Sequence, residues 1–246
     1  VRTVILLIGC VFFIPGVNAN VIINSTRVIF PAEAKSVSVQ LINKSQGQHL
    51  IQAWVDDGRQ NEKPENIVTP FMIFPPVVKV NGNEGQILKI SRDSTADKLP
   101  QDRESVFWLN VLDIPPTPEN LDASLNYMQV AIRNRIKIFW RPQKLMISPQ
   151  SIAQHLGLKA QHLAVCINND SPYYLTVVQL MKWDGKSSRV QQGKRQDNLL
   201  EKTLFIPPFS CTGVAEKPLS PAPGHYQLVY IDDFGGRTPV VVTLKK

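Results

Sequence analysis

Only three cysteines and four histidines occur in 246 residues, and neither type is clustered. There is no CxxC. His49, His155, His162 and His225 lack the close spacing that puts two imidazoles on one metal, so a zinc site has no ligands to build on. Each histidine reads as a surface or loop residue. Gly185-Lys186-Ser187 has the ending of a phosphate loop, but the glycine needed five positions before Gly185 is Leu180, and Asp184-Gly185 reads better as a hairpin turn. A GxSxG elbow is also missing. With no nucleophile beside a base and no metal or nucleotide motif, the chain is expected to be no enzyme and to require no cofactor.

Long apolar runs are lacking too. The longest, Val4 to Ile14, falls short of the roughly 18 residues a membrane span needs, so the chain is not expected to span a membrane. It lies in VRTVILLIGCVFFIPGVNA, residues 1–19, with one early cation, a Pro15-Gly16 break, and Val17 and Ala19 at the positions a signal peptidase reads. This segment is expected to be a cleaved secretory signal. A lipoprotein signal around Cys10 is the rival, disfavoured because Val11-Phe12-Phe13-Ile14 continue the apolar run. Removing 19 of 246 residues leaves 227, enough for one large or two ordinary domains. Losing Arg2 lowers the net charge from +7 to +6. That excess is spread along the chain without a basic block, so nucleic acid is not an expected partner, whereas an acidic or carboxylate partner fits. Cys166 and Cys211 remain, and an even count in an oxidising compartment favours one disulfide.

No window shows a convincing helical period. Instead, short segments rich in Val, Ile and aromatics recur between turn signals, which points to an all-β chain. Strands are expected at Val21 to Phe30, Val37 to Asn43, Leu50 to Val55, Phe71 to Phe74, Gln86 to Ser91, Val106 to Leu112 and Tyr127 to Trp140. After Arg141-Pro142 and the stretch SPQSIAQHLGLKAQ, a second set is expected at His162 to Asn168, Tyr173 to Lys182, Lys202 to Ile206, Tyr226 to Ile231 and Val240 to Leu244. Two tandem immunoglobulin-like sandwiches fit this spacing, with domains at 20–145 and 146–246. Asn24-Ser25-Thr26 and Asn43-Lys44-Ser45 match the glycosylation triplet, a pattern that arises readily by chance.

The stretch YMQVAIRNRIKIFWRP is the most informative segment. Met128, Val130, Ile132, Ile136, Ile138 and Trp140 alternate with Arg133, Arg135, Lys137 and Arg141. A strand usually runs about 5–6 residues, and this alternation lasts more than twice that. Either Met128, Val130 and Ile132 complete the chain's own core, or they cover a surface of another molecule.

Together with LPQDRESVFWLNVLDIPP at 99–116, the segment RIKIFWRP at 135–142 closely resembles the periplasmic pilus chaperones of bacterial chaperone-usher systems, the PapD-like family. STRVIF at 25–30, IQAW around Trp54, NNDSPYYLTV at 168–177 and IDDFGG at 231–236 agree in order. The resemblance implies two immunoglobulin-like domains set at an angle, and an ATP-independent periplasmic chaperone whose long strand supplies the missing strand of a pilin before an outer-membrane usher receives it. Donor-strand complementation is this family's known binding mode. By the same resemblance Arg27 and Lys137 anchor the pilin's C-terminal carboxylate, and Met128, Val130 and Ile132 form the donor face. Glu104, Arg141 and Asp233 form an interdomain charge cluster, Asp233 being preferred to Asp232 because it directly precedes Phe234. The connection from Pro115 to Asn126 is short to medium and lacks the flanking cysteines of the long-loop class. A secreted immunoglobulin-like structural or adhesive surface protein is the alternative reading.

Overall fold

The computed structural model describes residues 21–117, 128–161, 164–186, 189–191, 195–214 and 222–245. The expected signal segment 1–19, Tyr127 and His162 lie outside these residues. Two β-sandwiches follow one another along the chain. The first contains β1 (Val21–Ile23), β2 (Arg27–Pro31), β3 (Ser36–Asn43), β4 (His49–Asp56), β5 (Phe71–Phe74), β6 (Val77–Val80), β7 (Gly85–Arg92), β8 (Ser105–Ile114) and β9 (Ile132–Arg141). A four-stranded sheet in the order β1-β3-β7-β5 faces a five-stranded sheet in the order β2-β9-β8-β4-β6. The second contains β10 (Leu156–Gln161), β11 (Ala164–Asn169), β12 (Leu175–Lys182), β13 (Leu204–Ile206), β14 (Ser210–Gly213), β15 (Gly224–Ile231) and β16 (Arg237–Leu244). Its sheets run β10-β11-β14 and β13-β12-β15-β16.

Period-2 alternation explains the layers. On β3, Val39 and Leu41 point inward while Ser38 and Gln40 face water. Phe30, Leu41, Ile51, Leu88, Ile90, Leu109, Ile138 and Trp140 are sealed in the first core. Phe71 knits it together, with its ring 5.2 Å from Phe30 and 5.0 Å from Phe107. Ile167, Leu175, Leu180, Ile206 and Leu228 form the centre of the second. Cys166 and Cys211 are bonded across β11 and β14, with Cα atoms 5.5 Å apart.

Several expected elements need correction. The single strand expected over Val21 to Phe30 is two strands in different sheets. Asn24 N makes a last bond to Gln40 O at 2.9 Å, the chain crosses at 24–26, and β2 then joins β9 in parallel. Strands β6, β10 and β14 were not anticipated. Each is only four to six residues long.

His49 is not a surface residue. It begins the inward series His49, Ile51, Ala53, Val55 on β4, and its Nδ1 lies 2.5 Å from Asp113 Oδ1, with both side chains buried. Asp113 in turn follows Phe107, Leu109 and Val111 on the inward face of β8, and its Oδ2 accepts the Val21 amide at 3.1 Å. The Asn43-Lys44-Ser45 triplet is no glycosylation acceptor in the folded chain, because Asn43 is fully buried. Its amide donates to the carbonyls of Gly47, Val80 and Asn81 at 2.8–3.1 Å. Asn169 does the same work in the second sandwich, donating to Tyr173 O and Pro207 O while accepting from Ser171.

Candidate functional site

The open edge of β9 is the first feature. β9 pairs with β8 from Ile132 to Trp140, but its other side is covered by β2 only from Lys137 to Arg141. Among the described residues, no strand pairs with that side of Ile132–Ile136, and such an edge is a template for another strand. Met128 and Val130 before it and Ile132 at its start are 87%, 57% and 38% exposed. None of the three completes this chain's core. The apolar series turns inward only farther on, at Ile136, Ile138 and Trp140. The ladder itself begins at Ile132 rather than at the expected Tyr127.

Arg27 opens β2 and stands in register beside Lys137, so the two cations sit where the open edge ends. They border a cleft of about 340 Å³ that is also lined by Thr26, Gln60, Trp108, Arg135 and Ile136. Arg27 Nη1 donates to Ile231 O at 3.0 Å, while its buried Nε has no hydrogen-bond partner among the described residues. Lys137 Nζ lies 4.6 Å from the centre of the Phe205 ring. Burial pulls both groups below their ordinary pKa values. For Arg27 the fields of Asp233, Asp232 and Glu104 oppose that shift, whereas for Lys137 the neighbouring Arg27 and Arg135 add to it. Both cations therefore favour a counter-charge.

Arg135, on the same face, already has one. Its Nη2 and Nε reach the two oxygens of Asp56 at 2.5 and 2.9 Å, Asn110 donates to the same carboxylate at 2.6 Å, and the guanidinium lies 4.6 Å from the Trp108 ring. Burial disfavours the Asp56 carboxylate, but the hydrogen bonds from Arg135, Asn110 and the Gly58 amide prevail and hold its pKa below the ordinary value. Neither Arg27 nor Lys137 joins an ion pair among the described residues. The cleft thus holds two cations without an ion-pair partner among the described residues beside one that is paired.

The structure brings Glu104, Arg141 and Asp233 together between the sandwiches. Arg141 Nε donates to Glu104 Oε1 at 2.8 Å, and its Nη1 and Nη2 grip Asp233 at 2.6 and 2.9 Å. Glu104 Oε2 accepts the Tyr174 amide at 2.8 Å, and the Glu104 amide donates to Pro172 O. Burial pushes the Glu104 carboxyl up to about 7 against the pull of Arg141. Burial also opposes the Arg141 charge, but the Asp233 hydrogen bonds and the two carboxylate fields raise its pKa. Asp232 has a different task, accepting from the amides of Phe234 and Gly236 and from Thr238 to shape the turn. In that turn Gly235 has φ +84°, and a Cβ there would meet Thr26 Oγ1 at 2.5 Å. Glycine lets the second sandwich approach the start of β2.

Phe139 on β9 is buried and faces Tyr174 and Phe205 of the second sandwich at 6.1 and 6.3 Å. The latter two stack at 5.0 Å with an interplanar angle of 9°. Phe205 was not singled out in the sequence, and nothing in a three-residue strand marks one ring for a contact with another domain. The Asp56–Arg135 pair was missed too, although Asp56 ends the alternating apolar strand β4.

Residues 20–146 match the family described as pili and flagellar-assembly chaperone, PapD N-terminal domain, and residues 142–241 match the pili assembly chaperone PapD, C-terminal domain. Chaperone protein HifB of Haemophilus influenzae is 43% identical over 176 residues, covering 71% of this chain and 73% of that one. Chaperone protein MrkB of Klebsiella pneumoniae is 33% identical over 98% of this chain and 99% of its own. The crystal structure of the Pseudomonas aeruginosa CupB2 chaperone aligns with a TM-score of 0.71 and 32% identity, covering 91% of this chain and all of that one. By sequence along nearly its whole length and by its two sandwiches, this chain belongs to the PapD-like family of pilus-assembly chaperones.

Proposed function

We propose that the chain is exported by its first 19 residues and binds fimbrial subunits in the periplasm, through domains at 20–145 and 146–246. A subunit lacking a strand adds to the open edge of β9, its apolar groove receives Met128, Val130 and Ile132, and its terminal carboxylate is held by Arg27 and Lys137. The loaded chaperone then delivers the subunit to an outer-membrane usher. One observation carries this reading: the unpaired edge Ile132–Ile136 ends at two half-buried cations that have no ion-pair partner among the described residues. An arginine fork and a compact ammonium suit a chain-terminal carboxylate, and backbone pairing supplies affinity while alternate side chains supply selectivity. No energy source enters the scheme, because the groove and edge of the subunit are satisfied by binding alone.

The test is Lys137→Ala, co-expressed with a pilin subunit in the periplasm. Losing one partner of a desolvated charge contact costs about 2–5 kcal/mol, so the variant should fold and be exported yet fail to retain the pilin. A variant that recovers stoichiometric pilin at wild-type affinity would remove the anchor.

A further inference from the structure

The two anchor cations are rooted in the first sandwich, yet each touches one group of the second. Arg27 donates to the Ile231 carbonyl at the end of β15, and the Lys137 ammonium stands over the Phe205 ring of β13. Neither contact neutralises its cation. Phe205 is itself held flat against Tyr174, whose amide is tied to Glu104 of the first sandwich.

We propose that Phe205 is a positioning residue for the carboxylate anchor. Its ring holds the Lys137 ammonium where an incoming carboxylate meets it, so the anchor is complete only with the second sandwich in place. This rests on the anchor reading given above. Lysine is a point charge on a flexible four-carbon stem, and an ammonium in a crowd of cations would otherwise swing away from Arg27 and Arg135. The aromatic face attracts the ammonium without using up its charge, and the donors turned away from the ring stay available to a carboxylate. An acidic side chain at the same place would quench the site, and an aliphatic one would leave the stem free. A ring at 205 is therefore suited to fixing a lysine that has to remain unpaired until a guest arrives.

Binding of a fluorescently labelled eight-residue peptide alternating valine and serine, made as the free acid and as the C-terminal amide, separates positioning from simple packing. The wild-type chain should prefer the acid by at least about tenfold. Phe205→Met and Phe205→Leu, two replacements without a ring, should shrink that preference by about three- to tenfold while binding the amide as the wild type does. Phe205→Tyr, which keeps the ring, should retain it. A ring-free variant that keeps the full preference, or that weakens acid and amide equally, would overturn the positioning role and leave Phe205 as packing. A wild-type chain that binds both peptides equally would overturn the anchor itself, and this inference with it.

Discussion

Val130→Glu separates a partner-facing residue from a core residue more sharply than any other single change. Val130 is 57% exposed, so the free chaperone should lose at most about 0.5 kcal/mol, the ordinary range for a surface substitution. Its thermal midpoint should stay within a few degrees of wild type. In the complex the same position should be sealed in a subunit's groove. There the lost valine burial removes about 1.5–3 kcal/mol, and an unpaired carboxylate placed in an apolar pocket adds a desolvation penalty of several more. Even the lower sum exceeds two tenfold steps in affinity at about 1.4 kcal/mol each. Thermal melting of the free protein and titration with a purified pilin measure both sides. Capture should fall more than a hundredfold with the melt unchanged. A variant that melts far below wild type, or that binds pilin normally, would refute the assignment of Val130 to the donor face.

Two further outcomes concern stability. Because burial raises the folded Glu104 carboxyl to about 7 from an ordinary 4.5, folding favours its protonated form. That contribution is complete below about 4.5 and is lost as pH rises through 7, an effect on the order of 3 kcal/mol. Glu104→Gln, which does not titrate, should flatten the dependence of thermal stability on pH between 5 and 8, and profiles that run parallel for the two proteins would count against it. Removing both Cys166 and Cys211 as alanines opens a crosslink with a sequence separation of 45. It should destabilise the second sandwich by up to about 4 kcal/mol and leave pilin capture intact below the melt; calorimetry with no shift would dismiss a stabilising role.

Much of the architecture was legible because sandwich cores write themselves as alternation. Val39-Gln40-Leu41 on β3 and the inward run Phe107, Leu109, Val111 on β8 are plain in the sequence. The charged cleft residues were legible only through family motifs, since a lone Arg27 or Lys137 on a strand looks like any solvated charge. What stayed hidden depends on geometry that no local pattern carries. The sheet switch at 24–26 follows from which neighbour offers hydrogen bonds, a long-range matter. Lys137 meets Phe205 only because the two domains are packed as they are. Buried polar residues lie between these cases: Asp113 continues an inward apolar series, and a carboxylate in such a place should have prompted a search for the partner that proved to be His49.

The short reach of β2 has a geometric consequence. β2 occupies the flank of β9 from Lys137 onward, so a guest strand on the remaining flank lies in line with β2, as if prolonging it, and must stop where Arg27 begins. A guest strand running straight on in the same direction would collide with β2, so the berth suits a chain end. For the end to be a carboxylate, the guest has to travel in the direction of β9, parallel to it, as β2 does. The five free residues, at about 3.3 Å each, offer a slot of roughly 16 Å. In the donor-strand reading proposed above, a strand that begins five residues after its neighbour thus sets the polarity of the guest and its terminus.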